Sequence, residues 1–333
     1  ALISSIAIAQ TPIAGRNVNM VSGTEFPGGD PFLQRQNEVS MAVSSRNAQH
    51  LFAGTNDYRS VDLPNVADQF LVAATVADSW LGVYKSVDGG NSWVSTLLPG
   101  FPQDTSSEGL ASPIHGYTTG TDPIVRAGTN GMFYYGGIAF NRDEKQEGSI
   151  FVARYIDNNT KETGQNIIYL DTQVVYSGTP GQFVDKPWIV VDVPRSGAGQ
   201  CTIQTKQIED GQPVTVTQTF PAGNVYVVFS EFVGQSDVNY NSRIMFARST
   251  DCGATWSKLQ RITRSSQVFQ GATMAIDPLN GDIYVAWREI QTVLDQGGNT
   301  KVEGVNALHI AKSTDQGNSF GIPITIAEID PFD

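Results

Sequence analysis

With 333 residues, 40% of them hydrophobic, the chain carries enough apolar material for a sizeable core. Its formal net charge of −12 disfavours nucleic acid and anionic membrane surfaces as partners. No apolar run approaches the ~20 residues that a membrane-spanning helix needs, so no membrane span is expected.

The first ten residues, Ala1 to Gln10, contain Ala7-Ile8-Ala9, a small-residue pattern that fits a signal cleavage site. No basic segment precedes it, and an ordered strand over Ile3–Ile13 is the preferred reading. Residues 1–36 form an N-terminal extension in this reading, and residues 37–333 hold repeated β-units.

Four units follow, at about 37–98, 121–176, 185–263 and 270–329, each read as four strands. The first has strands near Val39–Val43, Leu51–Gly54, Gly82–Ser86 and Ser92–Leu97. The second has Pro123–Ala127, Met132–Phe140, Ser149–Tyr155 and Asn166–Leu170. The third has Pro187–Val193, Asn224–Ser230, Arg243–Ser249 and Thr255–Ile262. The fourth has Ala272–Asp277, Asp282–Trp287, Ala307–Ser313 and Ser319–Ile326. Runs such as Val225-Tyr-Val-Val-Phe229 and Ile283-Tyr-Val-Ala-Trp287 are β-branched and aromatic, which suits strands covered on both faces. No helix longer than a turn or two is predicted.

Between the third and fourth strands of three units stands one recurring pattern, Ser-x-Asp-x-Gly-x-(Ser/Thr)-aromatic. Its copies are Ser86-Val-Asp88-Gly-Gly90-Asn-Ser-Trp93, Ser249-Thr-Asp251-Cys-Gly253-Ala-Thr-Trp256 and Ser313-Thr-Asp315-Gln-Gly317-Asn-Ser-Phe320. The second unit keeps only Asp157 of it. A tight turn between two strands satisfies the pattern: Asp accepts from turn amides, Gly takes positive φ, and the aromatic packs inward. Repetition at this spacing marks a repeat architecture.

These segments resemble the Asp-box, or BNR repeat, of the sialidase-like β-propellers, over roughly Asn37 to Glu328. The resemblance implies an all-β propeller of four-stranded antiparallel blades. Four blades are visible, and such propellers usually close with six or more, so this sequence is read as part of a larger ring. The ending Asp330-Pro-Phe-Asp333 reads as a loop into another unit. In a propeller the box turns share one face with the connections between first and second strands. The opposite face collects the remaining, longer loops and would carry function.

On that opposite face the strand ends carry Asp57, Tyr58, Arg59, Arg142, Glu231, Tyr240, Arg288 and Glu289. Glu38, Asp122 and Asp185 stand where the first strands begin. Sialidase chemistry uses three arginines to clamp a carboxylate, a Tyr nucleophile tuned by Glu, and an Asp acid/base. The resemblance thus makes Arg59, Arg142 and Arg288, Tyr58 or Tyr240, Glu231 and Asp57 the catalytic candidates. Glu38, Asp122, Asp185 and Glu289 are binding candidates. The Phe/Tyr-Arg-Ile-Pro segment expected near the first blade is absent; Gln36-Asn-Glu-Val-Ser-Met-Ala-Val43 stands there instead.

The two cysteines, Cys201 and Cys252, are too few for a disulfide scaffold, and their spacing does not fit a structural zinc site. The propeller reading puts both on the box face of the third blade, where a disulfide and two separate thiols remain open alternatives. His50, His115 and His309 are scattered and read as ordinary surface or core residues. No cofactor or metal is expected; calcium has no EF-hand-type string to support it.

The expected function is a secreted or surface-exposed module that binds a glycan or an extracellular protein without catalysis. An exo-acting, sialidase-like glycoside hydrolase is one alternative. A structural subunit of an extracellular assembly, donating Ile3–Ile13 to a neighbour's sheet edge, is the other.

Overall fold

The computed structural model describes residues 15–61, 78–141, 148–159, 166–209, 211–236, 239–304 and 306–329. The proposed Ile3–Ile13 strand, Arg142 and the terminal Asp330–Asp333 lie outside the described residues.

Four antiparallel sheets of four strands follow one another along the chain. The first contains β1 (Gln36–Val43), β2 (Leu51–Asp57), β3 (Trp80–Ser86) and β4 (Val94–Leu97), hydrogen-bonded in that order. A one-turn helix, α1 (Ser107–Leu110), precedes the second sheet, β5 (Thr119–Ala127), β6 (Met132–Phe140), β7 (Gly148–Asp157) and β8 (Ile167–Ser177). The third opens with β9 (Gln182–Val191). A separate hairpin, β10 (Gln200–Glu209) with β11 (Gln212–Pro221), is inserted before β12 (Val225–Ser236), β13 (Asn239–Ser249) and the short β14 (Gln260–Arg261). The fourth begins with β15 (Val268–Ile276) and β16 (Ile283–Ile290). It carries a small hairpin, β17 (Thr292–Leu294) with β18 (Thr300–Val302), and ends with β19 (Asn306–Ser313) and β20 (Ile324–Ile329).

Two outermost strands start later than the sequence reading placed them. In the third sheet the Arg248 amide donates to the Ser257 hydroxyl at 3.1 Å, so the side chain interrupts the ladder, which resumes only at Gln260. In the fourth, Pro323 lacks an amide proton, and pairing starts at Ile324.

Three seams hold the sheets in a row. Phe52, Trp80, Val83, Val125, Phe133 and Tyr135 fill the one between the first and second sheets. Ile138, Val152, Ile189, Val227 and Phe229 fill the next. Tyr226, Val228, Phe246, Met274, Val285 and Trp287 fill the third. This explains the continuous apolar character of β6 and β7, whose residues are all buried because the second sheet is covered on both faces. The two outer faces of the row stay open: on β1 Val39 is 66% and Met41 53% exposed, and on β20 Ile324 is 61% exposed. Val125, Ile189 and Met274 occupy the Met41 position of the later sheets, and all three are buried.

The three repeated turns fold with one hydrogen-bond set. In each, the first Ser donates its hydroxyl to Asp Oδ1, at 2.9, 2.7 and 2.8 Å for Ser86, Ser249 and Ser313. The Gly amide donates to that same Ser Oγ, at 2.9, 2.8 and 2.9 Å. The later Ser92, Thr255 or Ser319 closes the ring, its amide on Oδ1 and its hydroxyl on Oδ2 at 2.6 Å in every copy. Donors aimed at both carboxylate oxygens favour the charged form. The Ser92 and Ser319 hydroxyls, with the turn amides, hold Asp88 and Asp315 down at about 2, and Asp251 is also lowered, its donors outweighing partial burial. The contribution of these turns is therefore complete above the ordinary carboxylate range and is lost only as pH falls through about 2. Carboxyl chemical shifts followed by NMR are expected to give titration midpoints near that value for Asp88 and Asp315; midpoints near the ordinary aspartate value would contradict the shared geometry.

Asp157 does something else. It is fully buried and reaches out of its own sheet, accepting from Ser44 Oγ at 2.6 Å and pairing with His50 Nδ1 at 2.9 Å, both in the β1–β2 connection. The Asn159 amide completes the set at 2.8 Å.

Candidate functional site

The first strands β1, β5, β9 and β15 lie next to one another, so each sheet contributes its first edge to a common centre. Each carries a β-bulge at the same place, where pairing skips between Asn37 and Ser40, Thr121 and Ile124, Asp185 and Trp188, and Gln270 and Thr273. The residue at each skip has positive φ: Glu38 at 53°, Asp122 at 58°, Lys186 at 47° and Gly271 at 66°. Only glycine takes this conformation without cost, so three charged residues in it mark a place where backbone strain is retained. The bulges turn these side chains toward one another.

The Lys186 ammonium sits 3.2 Å from Glu38 Oε2 and 3.2 Å from Asp122 Oδ1. Its backbone amide donates to Asp122 Oδ2 at 3.3 Å. Burial works against the Lys186 charge, but Asp122 and Glu38 outweigh it and raise its pKa above the ordinary lysine value. Asp122 is fixed from below by Asn56, whose Oδ1 accepts the Asp122 amide at 2.9 Å and the Thr121 hydroxyl at 3.2 Å. Asp185 stands beside Asp122; burial first, then the Asp122 charge, hold its carboxyl above the usual range. Gln270 Nε2 donates to the other side of Asp185 at 3.4 Å. The cluster borders a cavity of about 270 Å³ whose remaining wall includes Pro123, Ile124, Pro187 and Trp188. Arg126 stacks over the Trp188 ring at 4.9 Å, and the indole nitrogen donates to the Met274 carbonyl at 3.0 Å, so the ring is fixed from two sides.

The other candidates are dispersed. Arg59 is wholly buried: its guanidinium grips Asp57 at 3.0 and 2.6 Å and donates to the Pro27 and Gly28 carbonyls at 2.7 and 3.0 Å. Asp57 is equally buried and also accepts the Tyr84 hydroxyl at 2.6 Å. Neither group is free to hold a ligand, contrary to the clamp and acid/base roles expected for them. Arg35 covers the Tyr58 ring at 4.6 Å. Arg288 lies on β16, on the face turned away from the third sheet, and Glu289 pairs with His309 at 2.6 Å. The Tyr240 ring lies tilted against Phe232, with centroids 6.0 Å apart. Arg59 follows β2 of the first sheet and Arg288 lies on β16 of the fourth, so these two clamp candidates stand on different sheets.

Glu231 meets a tyrosine that sequence reasoning missed. Tyr176 donates its hydroxyl to Glu231 Oε1 at 2.5 Å, and Arg243 stands 3.7 Å from Oε2. Burial, then this hydrogen bond, raises the Tyr176 pKa. Lys186 was missed too, although its place in Asp185-Lys-Pro187, matching Asp122-Pro123, was a usable signal.

Among the described residues no group of three or more His, Cys, Asp or Glu is arranged to hold a metal ion, and no helix is long and apolar enough to cross a membrane.

No protein-family model and no curated protein matches the sequence. Solved structures do show likeness. A Hadza microbial sialidase is 14% identical with a TM-score of 0.41, over 77% of this chain and 46% of that one. A protein of unknown function from Dyadobacter fermentans is 14% identical with a TM-score of 0.43, over 87% and 68%. The NanB sialidase from Streptococcus pneumoniae is 9% identical with a TM-score of 0.39, over 95% and 55%. The chain thus spans about half the length of the two sialidases. At identities and scores this low, the likeness carries no argument about activity or ligand.

Proposed function

We propose that the chain is a propeller-type module, secreted or displayed at the cell surface, that binds a glycan at the centre of its first strands without catalysing a reaction. The observation that carries this reading is the Lys186 ammonium held at 3.2 Å from both Glu38 and Asp122, beside a wall of proline and tryptophan. Sugar hydroxyls both donate and accept, and a fixed mixture of carboxylate and ammonium beside an apolar wall meets both demands. Catalysis is disfavoured by the same geometry. The ammonium stands within 3.2 Å of both carboxylates, in the space that a reacting sugar carbon would need between a catalytic pair.

The four sheets are read as consecutive blades of a ring of six or more, supported by the open apolar faces at both ends of the row. The test is calorimetric titration against a panel of neutral and acidic oligosaccharides. For any glycan that binds, Lys186→Met and Asp122→Asn are each expected to weaken binding by about tenfold or more, as the loss of one charge-assisted hydrogen bond requires. Unchanged affinity in both variants would refute the site.

A second reading, an exo-acting glycoside hydrolase, is favoured by one observation, the Tyr176–Glu231–Arg243 group. It predicts turnover of a fluorogenic sialoside that Tyr176→Phe abolishes. Such turnover would overturn the non-catalytic reading.

A further inference from the structure

Cys201 opens β10 of the inserted hairpin, and Cys252 sits inside the second repeated turn; they are 0% and 1% exposed. The two thiols are neighbours in one buried cluster with Tyr134, and the Arg154 guanidinium donates to the Cys252 carbonyl at 3.4 Å. The backbones also approach closely: at Gly199 an added Cβ would run into the Thr250 carbonyl.

The turn itself does not call for a cysteine. The equivalent residues are Gly89, with φ 71°, and Gln316, with φ 57°, and both of those turns close with the same hydrogen bonds. Cys252 adopts φ 59°, a conformation that glycine would take freely. A strained cysteine facing a second cysteine from an inserted hairpin is explained if the two sulfurs are joined.

We propose that Cys201 and Cys252 form a disulfide that staples the β10–β11 hairpin to the third sheet. The chemistry is thiol–disulfide exchange with a low-molecular-weight disulfide such as oxidised glutathione. Cys252, uncovered when the hairpin lifts away from the third sheet, loses its proton to solvent and is the attacking thiol. Its thiolate attacks one external sulfur and expels one external thiolate, leaving a mixed disulfide on Cys252. That thiolate takes up the Cys201 proton, and the Cys201 thiolate then attacks the Cys252 sulfur and expels the second. Two protein thiols are oxidised by two electrons, and one external disulfide is reduced to two thiols. Because both sulfurs are buried, the exchange takes place while the hairpin is undocked, and docking then shields the bond.

The hairpin has further work to do once held. Gln218 on β11 accepts from Arg46 of the first sheet at 2.8 Å and donates to Asn158 of the second at 2.9 Å. Gln204 and Thr205 on β10 wall a cavity of about 750 Å³ that also touches Lys85 and Trp93. The staple thus anchors one end of an arm that reaches across two other sheets.

The test uses the whole protein, equilibrated with oxidised glutathione, then unfolded and treated with a maleimide without reductant. No label is expected, together with a proteolytic fragment pair joined through Cys201 and Cys252. Reduction is expected to lower Tm by about 5–10 °C. Cys252→Gly, suited to its backbone conformation, is expected to fold and to show no Tm change on adding reductant. Labelling of both cysteines, a glutathione adduct that persists on Cys252, or a wild-type Tm indifferent to reductant would each overturn the proposal.

Discussion

Replacing Arg59 with Met is expected to cost about 3–5 kcal/mol of folding stability, the loss typical when one partner of a buried ion pair is removed. Both side chains of the Asp57–Arg59 pair are 0% exposed. The guanidinium satisfies both Asp57 oxygens and two backbone carbonyls at once, so its removal strands a carboxylate and takes a donor from the Pro27 oxygen, while the Gly28 oxygen keeps the Ser95 hydroxyl. The double change Arg59→Met with Asp57→Asn is expected to recover part of the loss, because the stranded charge is then gone. Urea or guanidinium unfolding measures both. A single-variant loss below about 1 kcal/mol would place the pair in the range of solvent-screened ion pairs and contradict its burial. Glycan affinity is expected to be unchanged in the variant at temperatures where it is folded, since Arg59 takes no part in the Lys186 cluster.

Asp157→Ala is expected to be of similar size, about 3–5 kcal/mol, for a different reason. Asp157 accepts from both the buried His50 Nδ1 and the Ser44 hydroxyl, and it lies where the first and second sheets meet. Alanine leaves the buried His50 and Ser44 donors without this acceptor. Arg46, which donates to the Asp157 carbonyl at 2.8 Å, marks the same seam from the backbone side. Asp157→Asn keeps one acceptor and is expected to lose less. If the alanine variant unfolds at the same denaturant concentration as the parent, the seam does not depend on this residue.

The three repeated turns were legible because their chemistry is local: a Ser, an Asp, a Gly and a second Ser or Thr within about seven residues complete the hydrogen-bond ring. The runs that became β6, β7 and β12 were legible through β-branched and aromatic content, since burial on both faces leaves little room for polar residues. No strand was expected between Val193 and Asn224, where the β10–β11 hairpin stands, although Val214, Val216 and Phe220 alternate with polar residues directly after Asp210-Gly211, a hairpin-turn signal. The centre of the molecule was only half readable. Acidic residues at the starts of the first strands stood out, but that Lys186 would bridge two of them depends on where separate sheets meet, 148 and 64 positions away along the chain. Asp57 and Arg59 misled for the same reason: a charged pair at a strand end looks like a binding group until packing shows it enclosed.

Glu38, Asp122, Lys186 and Gly271 share one kinked backbone shape while differing in charge and size. The shape comes from the skipped pairing and not from any one side chain, which makes these four sockets interchangeable in principle. A change of ligand would then proceed by exchanging one non-glycine side chain for another in a socket, where the backbone strain is already present, with the sheets untouched. Gly271, the vacant socket with open space around it, is where a new group would be added, at about 1–3 kcal/mol of backbone strain.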